Sequence, residues 1–292
     1  MASQQAERAG RSVKSAERVL DLLETIGASP NGTTFSDLGA SLGIPKSSLH
    51  ALLNVLTSRG YIEFDQASRR ISLGIRIWET GLAYHRHHGF LKEARAVMEN
   101  IVRRINETVQ LAKLAGSENI YLDKVDSTHP LRLQSEVGLR LSAHATGVGK
   151  ALLAQLDEAD VGGRFPAEMS RHTPNTIGTL EALLDELALT RKRGFAVDNE
   201  EYTPGIFCLA VPVYQGAQRA TIAMSASVPT SRVTRQALPN ILSAMADGSV
   251  EITQRIGGQC PDDALQVLTD PVVAAARIEE MLNSGRYPVA FA

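Results

Sequence analysis

Three short segments of the sequence carry residues that could bind or transform a small molecule. The first, residues 147–151 (GVGKA), resembles a phosphate-binding loop. That loop needs a glycine five positions before Gly149 and a Ser or Thr after the lysine to hold Mg²⁺, but the chain has His144 and Ala151 at those positions. We therefore exclude nucleotide hydrolysis. Small residues before a helix still leave backbone N–H groups free, which suits a carboxylate or hydroxyl ligand.

The other two segments lie further along the chain. Residues 195–201 (FAVDNEE) begin like a strand and end in three acids. They form either a solvated acidic loop, which is the commoner case, or a turn from which one acid accepts a ligand hydroxyl. Cys208 follows in an apolar run, where a thiol is usually a small core residue. A nucleophilic thiol needs a nearby base, and His144 is the only candidate, so we expect no catalysis.

Composition limits the classes of protein that remain. The chain has 292 residues, 43% of them hydrophobic and 21% charged, with a net charge of −2. This length allows about two domains, and the charge argues against non-specific coating of nucleic acid. Two cysteines and no apolar signal or membrane segment predict a cytoplasmic protein without membrane contact. We expect no cofactor and no metal, because no Cys or carboxylate completes a site around His85, His87 and His88.

Residues 33–61 predict two short helices joined by a tight turn. Gly43 would end the first helix in a left-handed conformation, and Pro45 would take the first position of the second. An apolar stripe on the second helix includes Leu49, Leu53 and Leu56. The opposite face and its flanks carry small and polar residues suited to a DNA major groove, namely Lys46, Ser47, Ser48, His50, Ala51 and Asn54. Taken alone, an ordinary helical hairpin fits this pattern equally well.

The residues that follow favour DNA binding. Residues 61–64 and 71–73 alternate as two strands, and Arg69 and Arg70 lie at the tip between them. Three helices followed by a hairpin with a basic tip form a winged helix over residues 12–74, after a polar arm at residues 1–11. The two arginines would lie against phosphate or reach into the minor groove.

The rest of the chain predicts a linker helix and an α+β sensor domain. The linker helix, residues 75–90, carries Trp78, which either pairs with a second copy or packs on its own winged helix. Residues 91–257 alternate irregularly between predicted helices, at 91–105, 149–154, 180–193 and 230–256, and predicted strands, at 109–115, 120–125, 131–137, 207–214 and 219–227. Pro239 should kink the last of these helices. A helix at 272–282 in the extension 258–292 would fold back or swap to a partner.

Four segments in this order resemble the IclR family of bacterial transcription regulators. They are IPKSSLHALLNVLTSRGYI, HATGVGKALLA, GFAVDNEEYTPGIFCLAVPVY and TIAMSAS. The resemblance covers residues 12–257 and implies an N-terminal winged helix-turn-helix, a linker helix and a C-terminal GAF-like α+β domain that binds an effector. It also implies a homodimer, or a tetramer of two dimers, on a double-stranded DNA operator.

The resemblance also implies an effector pocket. The backbone of Gly147 and Val148 corresponds to the segment that meets an effector carboxylate, Asp198 to the pocket acid and Cys208 to the pocket thiol. Ser225 corresponds to the second serine of a serine-x-serine strand, and Ala223 stands where the first serine is common. The lost hydroxyl argues for a larger or aromatic acid over a small keto acid.

The DNA-reading helix departs from the family pattern at one position. Ala51 stands where an arginine is common, so base reading would depend more on Ser47, Ser48, His50 and Asn54. We therefore expect an effector-controlled transcription regulator of a catabolic operon. The alternative is a small-molecule enzyme that uses its winged helix for dimerisation.

Overall fold

The structure is a computed structural model that describes residues 13–87, 89–133, 135–216, 219–261 and 263–287, apart from the side chains of residues 84–87. The chain divides into two compact units, Met1–His88 and Gly89–Ala292. The predicted arm at residues 1–11, His88 and the side chains of Tyr84, His85 and His87 lie outside the described residues. Among the described residues, no helix is both long and apolar enough to span a membrane.

The first unit is a helical bundle with a two-stranded hairpin, as predicted. Its described elements are α1 (Lys14–Gly27), α2 (Phe35–Leu42), α3 (Lys46–Ser58), β1 (Ile62–Asp65), β2 (Arg70–Leu73) and α4 (Ile75–His87). The two strands are antiparallel. The apolar faces of the first three helices pack with the hairpin around one small core, which consists of Leu22, Ile26, Leu38, Ile44, Leu49, Leu53, Leu56, Ile62 and Ile71.

The turn between α2 and α3 is set by local chemistry. Thr34 caps α2 by accepting the backbone N–H of Asp37 at 3.2 Å. Gly43 ends α2 with φ of 59°, the left-handed conformation that glycine adopts at least cost. Pro45, predicted as the first helical residue, instead precedes it as the N-cap with ψ of 139°. The helix therefore begins one residue later, at Lys46.

The second unit contains a six-stranded sheet and longer helices. Its described strands are β3 (Thr108–Ala115), β4 (Glu118–Val125), β5 (Arg140–Ser142), β6 (Ala196–Asn199), β7 (Ile206–Tyr214) and β8 (Ala220–Pro229). Its described helices are α5 (Phe90–Ile105), α6 (Gly147–Leu153), α7 (Glu158–Gly162), α8 (Leu180–Arg193), α9 (Ala237–Arg255), α10 (Asp263–Gln266) and α11 (Pro271–Asn283).

The sheet has the order β5-β4-β3-β8-β7-β6, and neighbouring strands are antiparallel. Because successive side chains alternate between the two faces of a strand, each strand divides its residues between two environments. One face is apolar and packs with α5 and α9 into the main core, through residues such as Val109, Leu111, Leu209 and Met224. The short helix α6 packs with the other face, against Ala112, Tyr121, Ala210 and Ala223.

Two predicted elements of this unit were wrong. Residues 131–137 contain no strand in their described part, and the edge strand is β5 at residues 140–142. The helix predicted from residue 230 consists of a 3₁₀ turn, Thr230–Arg232, followed after a break by α9 from Ala237. Pro239 lies in the first turn of α9, where a proline is tolerated because its missing N–H needs no partner within the helix.

The C-terminal extension forms part of the second unit. The predicted helix at 272–282 is present as α11, and Leu265, Leu268, Ala274 and Ile278 join the main core. Tyr287, near the end of the described chain, is also buried. Residues 258–287 therefore fold back onto the sensor unit of the same chain.

We predict that this extension stabilises the unit. Ile278→Ala removes a side chain with no exposed surface and should lower the free energy of unfolding by about 2–5 kcal/mol. Val272→Ala, in the same helix at a position that is 76% exposed, should change it by less than about 0.5 kcal/mol. Urea unfolding followed by circular dichroism measures both values. Equal, small effects would show that the extension does not contribute to folding stability.

Candidate DNA and effector sites

The predicted DNA-reading residues lie together on the outer surface of α3. Lys46, Ser47, His50, Ala51 and Asn54 are exposed, and Ser48 is partly buried. The amide of Asn54 is hydrogen-bonded to Nδ1 of His50 at 3.0 Å. The two side chains therefore present one polar group. The apolar stripe of the same helix is turned into the core, which leaves this polar face free to contact DNA bases.

The two wing arginines have different environments. Arg69 is exposed, adopts the left-handed region with φ of 56°, and lines a cleft of about 760 Å³ together with His50 and Asn54. Arg70 instead donates from its guanidinium to the carbonyls of Asn31 and Gly32, at 3.2 and 2.8 Å. Arg69 thus lies on the open cleft, whereas the hydrogen bonds of Arg70 hold the hairpin to the loop before α2.

The linker helix α4 exposes apolar surface. Trp78 is 62% exposed and Ile75 is 61% exposed. Trp78 therefore does not pack into the core of its own winged helix, which was one of the two alternatives.

In the second unit, the sheet face that packs with α6 carries polar residues in adjoining rows. One row, read across four strands, consists of Asp198, Cys208, Ser227 and Thr108. The next row consists of Ala196, Ala210, Ser225 and Gln110. The third row, in its described part, consists of Pro212, Ala223, Ala112 and Tyr121. It is apolar except for the phenol group of Tyr121.

Hydrogen bonds join the first two rows into one network. Ser227 donates to Oε1 of Gln110 at 3.0 Å, and Ser225 reaches the same oxygen at 3.4 Å. The Gln110 amide donates to Ser135 at 2.5 Å. The thiol of Cys208 lies 3.2 Å from the Ser227 hydroxyl. A buried face with a thiol, two hydroxyls and an amide can bind the polar end of a small molecule.

Helix α6 meets this face at its first residue. A Cβ atom on Gly147 would lie 3.2 Å from Cβ of Ala210, 3.5 Å from Cβ of Cys208 and 3.7 Å from Cβ of Asp198. Thr146 caps the helix by accepting the N–H of Gly149 at 3.3 Å, and it donates to Oδ1 of Asn119 at 2.7 Å. The backbone of Gly147 and Val148 therefore lies beside Asp198 and Cys208, as the sequence resemblance implied.

The acids at positions 198–201, which lie in β6 and in the turn after it, are not a solvated loop. Asp198 and Glu201 are buried, and Oδ1 of Asp198 accepts the backbone N–H of Glu201 at 2.8 Å. Glu201 forms a buried ion pair with Lys150 from α6. Thr173 and Thr176 donate to the carbonyls of Glu200 and Glu201 at 2.7 and 2.6 Å. The turn is therefore fixed on both sides.

Burial controls protonation at this face. Burial, together with the nearby Glu201 carboxylate, raises the pKa of Asp198 to about 7 despite the opposing charge of Lys150. Burial and the neighbouring Asp198 carboxylate raise the pKa of the Cys208 thiol, which keeps it protonated and unsuited to nucleophilic attack. Burial also raises the pKa of Tyr121. Around neutral pH, Asp198 can thus accept or donate a hydrogen bond.

The structure adds residues that the sequence argument did not select. Ser227, Gln110 and Tyr121 share the face with the predicted residues, and their alternation along β3, β4 and β8 was the available signal. Ala223 lies among apolar residues next to α6. The same strand presents the hydroxyls of Ser225 and Ser227 to the polar rows.

Comparison with known proteins identifies the chain. The family model described as "Bacterial transcriptional regulator IclR C-terminal" matches residues 82–254, and the model described as "IclR helix-turn-helix domain" matches residues 15–66. The chain belongs to the IclR family. The HTH-type transcriptional regulator XynR of Escherichia coli (strain K12) is 31% identical over 246 residues, which cover 84% of this chain and 98% of XynR.

Solved structures of the IclR type share the fold. A putative IclR transcriptional regulator from Silicibacter sp. TM1040 superposes with a TM-score of 0.75 at 25% identity, over 85% of this chain and 98% of that one. An IclR homolog from Microbacterium hydrocarbonoxydans, complexed with 4-hydroxybenzoate, superposes with a TM-score of 0.74 at 24% identity, over 83% of this chain and 99% of that one.

The predicted family, α+β fold class and function are confirmed. This IclR-family protein is a transcription regulator with an N-terminal helix-turn-helix DNA-binding domain and a C-terminal effector-binding domain. Its relatives are named as regulators, not as enzymes. The expectation of a non-enzymatic protein is therefore confirmed as well, and the alternative of an enzyme with a winged-helix dimerisation module has no support.

We predict a pH-dependent stability that arises from Asp198. Its folded-state pKa of about 7 lies above the ordinary value of 3.8, so the folded state binds more protons than the unfolded state between these pH values. Stability should therefore fall as pH rises through this window, by up to about 1.4 kcal/mol per pH unit from this group. Asp198→Asn, which cannot ionise, lacks this contribution.

Urea unfolding of both proteins at pH 5, 6.5 and 8 measures the difference. The stability of the wild type relative to Asp198→Asn should decrease with each step. A difference that stays constant over the series would show that Asp198 titrates in the folded state as it does in water.

Proposed function

We propose that this regulator reads an operator through α3 and the wing, and that a small organic acid bound to the polar rows of its sheet controls that reading. One observation carries the proposal. In a unit whose main core is apolar, one sheet face buries an acid, a thiol, three hydroxyls and an amide in adjoining positions. Buried polar groups cost free energy unless they are hydrogen-bonded. Here the thiol, the two serine hydroxyls and the amide are hydrogen-bonded to one another, and they can exchange those bonds for bonds to a ligand.

The roles of the residues follow from their positions. The backbone N–H groups of Gly147 and Val148 receive the effector carboxylate, and Asp198, Cys208 and Ser225 line its polar end together with Ser227. Ala223 contributes an apolar wall. This assignment is supported by the short distance from Gly147 to Cys208 and Asp198 and by the hydrogen-bonded serines.

An aromatic acid is the effector we favour. The apolar third row and α6 offer a surface on which a ring can pack, through Ala112, Ala223 and Val148. One structure of this fold is a complex with 4-hydroxybenzoate, which shows that an IclR homolog can bind such a ligand. Control of a catabolic operon for organic acids would follow.

On DNA, Asn54 and His50 would read base edges in the major groove, with Lys46, Ser47, Ser48 and Ala51 around them. Arg69 would contact phosphate from the wing, and Arg70 would hold the hairpin to the loop before α2 through its two hydrogen bonds. Two such units in a homodimer, or in a dimer of dimers, would read half-sites spaced by about 34 Å or a multiple of it. The exposed Trp78 and Ile75 of α4 supply apolar surface for pairing two copies.

The effector would act by shifting a population. It changes operator affinity only to the extent that it binds two arrangements of the regulator unequally.

A regulator of chromosomal operons works where the chromosome lies. We therefore expect this protein in the cytoplasm.

We predict different roles for the arginines on DNA. Arg69→Ala should make the slope of log K against log salt concentration less steep by about 0.9, because one phosphate contact is lost. Arg76→Ala serves as the control. Arg76 is already paired with Glu79 at 2.7 Å, so this substitution should leave the slope unchanged. Gel shifts at several salt concentrations measure the slopes, with DNA selected by the wild-type protein from a random-sequence library. Equal slopes for all three proteins would exclude a phosphate contact from Arg69.

We also predict that an aromatic acid raises the melting temperature of the protein by binding only its folded state. The panel contains 4-hydroxybenzoate, benzoate, pyruvate and glyoxylate. The rise should disappear in Asp198→Ala and Ser225→Ala and persist in Thr221→Ala, which changes an exposed residue of the same strand. If the shift survives in both pocket variants, the effector binds elsewhere. A response only to the keto acids would replace the aromatic class with the smaller one.

A further inference from the structure

A second cleft, of about 470 Å³, lies between α8, the turn after β6 and the end of the described chain. Asn199 and Glu201 line it from the turn, Glu186 lines it from α8, and Arg286 and Tyr287 line it from the C-terminal extension. The family match ends at residue 254. One wall of this cleft therefore comes from a segment that the family model does not include.

Two residues that line this cleft carry a buried oxygen atom without a hydrogen-bond donor. Oε1 of Glu201 receives the ammonium of Lys150 and the N–H of Asn199, but Oε2 has no partner among the described residues. The amide oxygen Oδ1 of Asn199 has none either. Both residues are more than nine-tenths buried, with exposures of 4% and 6%. Buried acceptors without donors are costly, so this end of the cleft fits a group that donates several hydrogen bonds.

The surrounding charges favour a cationic donor. Glu186 is already satisfied, because Arg193 donates to it at 2.7 Å and the Tyr287 hydroxyl lies within 2.8 Å of both its oxygens. Lys150 and Arg193 balance Glu201 and Glu186, and Asp198 adds a negative charge when it is ionised. An incoming ammonium therefore enters a cluster that has no net positive charge, and it meets a carboxylate oxygen that lacks a hydrogen-bond donor.

The same cleft is also lined by a cation. Arg286 is exposed and forms no ion pair with any side chain in the described part of the chain. Ile177 and Ala182 supply apolar surface along the cleft. Acceptor oxygens, apolar surface and a cation in one cleft match the ammonium, carbon chain and carboxylate of one small molecule.

We propose that this cleft binds a small amino acid, with its ammonium on Glu201 Oε2 and Asn199 Oδ1 and its carboxylate on Arg286. The site is separate from the polar rows of the sheet, and its binding reaction does not depend on the effector proposal.

A hydrogen bond joins the cleft to the polar rows of the sheet. The backbone N–H of Glu201 donates to Asp198 at 2.8 Å, and Lys150, the partner of Glu201, lies in α6, the helix that begins at Gly147. An amino acid in the cleft would therefore bear on the position of Asp198. This consequence, unlike the binding itself, rests on the proposed effector function.

Isothermal titration calorimetry on the full chain tests the proposal. The probes are glycine, β-alanine and 4-aminobutyrate, which separate ammonium and carboxylate by increasing distances, compared with methylammonium chloride and sodium acetate at matched ionic strength. We expect at least one amino acid to bind saturably, and more tightly than either half-molecule. Asn199→Ala and Arg286→Ala should each weaken its affinity about tenfold, because each removes a hydrogen bond to a charged group.

Lys192→Ala is the matched control, because Lys192 is exposed on α8 and does not line this cleft. This variant should bind the amino acid with the same affinity as the wild type. Circular dichroism confirms the fold of each variant, and Glu201 is left intact because its loss would strand the buried Lys150. The proposal is overturned if no probe binds saturably, which would leave ordered water as the occupant. It is also overturned if a half-molecule binds as tightly as the best amino acid, or if both variants keep wild-type affinity. The melting-temperature response to aromatic acids is measured separately, so failure of one proposal leaves the other standing.

Discussion

The ammonium group of Lys150 is completely buried against the carboxylate of Glu201, and the geometry of the sensor unit depends on this pair. Neither charge could stay buried alone, because removing one partner of a buried pair costs about 3–5 kcal/mol. The pair connects helix α6 to the turn after β6. It therefore sets where the backbone of Gly147 and Val148 lies relative to Asp198.

The same pair explains the unusual protonation of its neighbours. Glu201 brings a second carboxylate next to Asp198 and raises the pKa of that residue in addition to the effect of burial. For Glu186, burial alone would raise the pKa, but the positive charges of Lys150 and Arg193 outweigh it and lower the value. The pKa is therefore raised for Asp198 and lowered for Glu186, because Glu186 is paired with Arg193.

The six-stranded sheet separates stability from recognition by simple alternation. Residues such as Val109, Leu111 and Met224 point to the helices α5 and α9 and build the main core. Their immediate neighbours Gln110 and Ser225 point to the other face, where they can meet a ligand. The C-terminal extension adds its own apolar residues to that core and closes a separate cleft with Tyr287. A segment outside the family pattern has thereby become part of the folded unit.

The sequence by itself determined the local elements and the family. Periodic leucines, Gly43 and the arginine pair were enough to predict the winged helix, since helix faces, caps and turns depend on neighbours a few residues away. Strands β3, β4, β7 and β8 were predictable from their apolar runs for the same reason. The strand expected at residues 131–137 failed because alternation alone does not show whether a segment finds a partner strand.

Only the tertiary structure decided which side chains share an environment. Lys150 and Glu201 are 51 residues apart, and no spacing rule connects them. From the sequence, a solvated loop was the commoner interpretation of the acids at positions 198–201. In the structure, Asp198 and Glu201 are buried, the turn is held by Thr173 and Thr176, and Glu201 is paired with Lys150. Ser227 and Gln110 became neighbours through strand register, and Arg70 differs from Arg69 because two loop carbonyls accept hydrogen bonds from its guanidinium. These outcomes depend on long-range packing, which a local pattern does not encode.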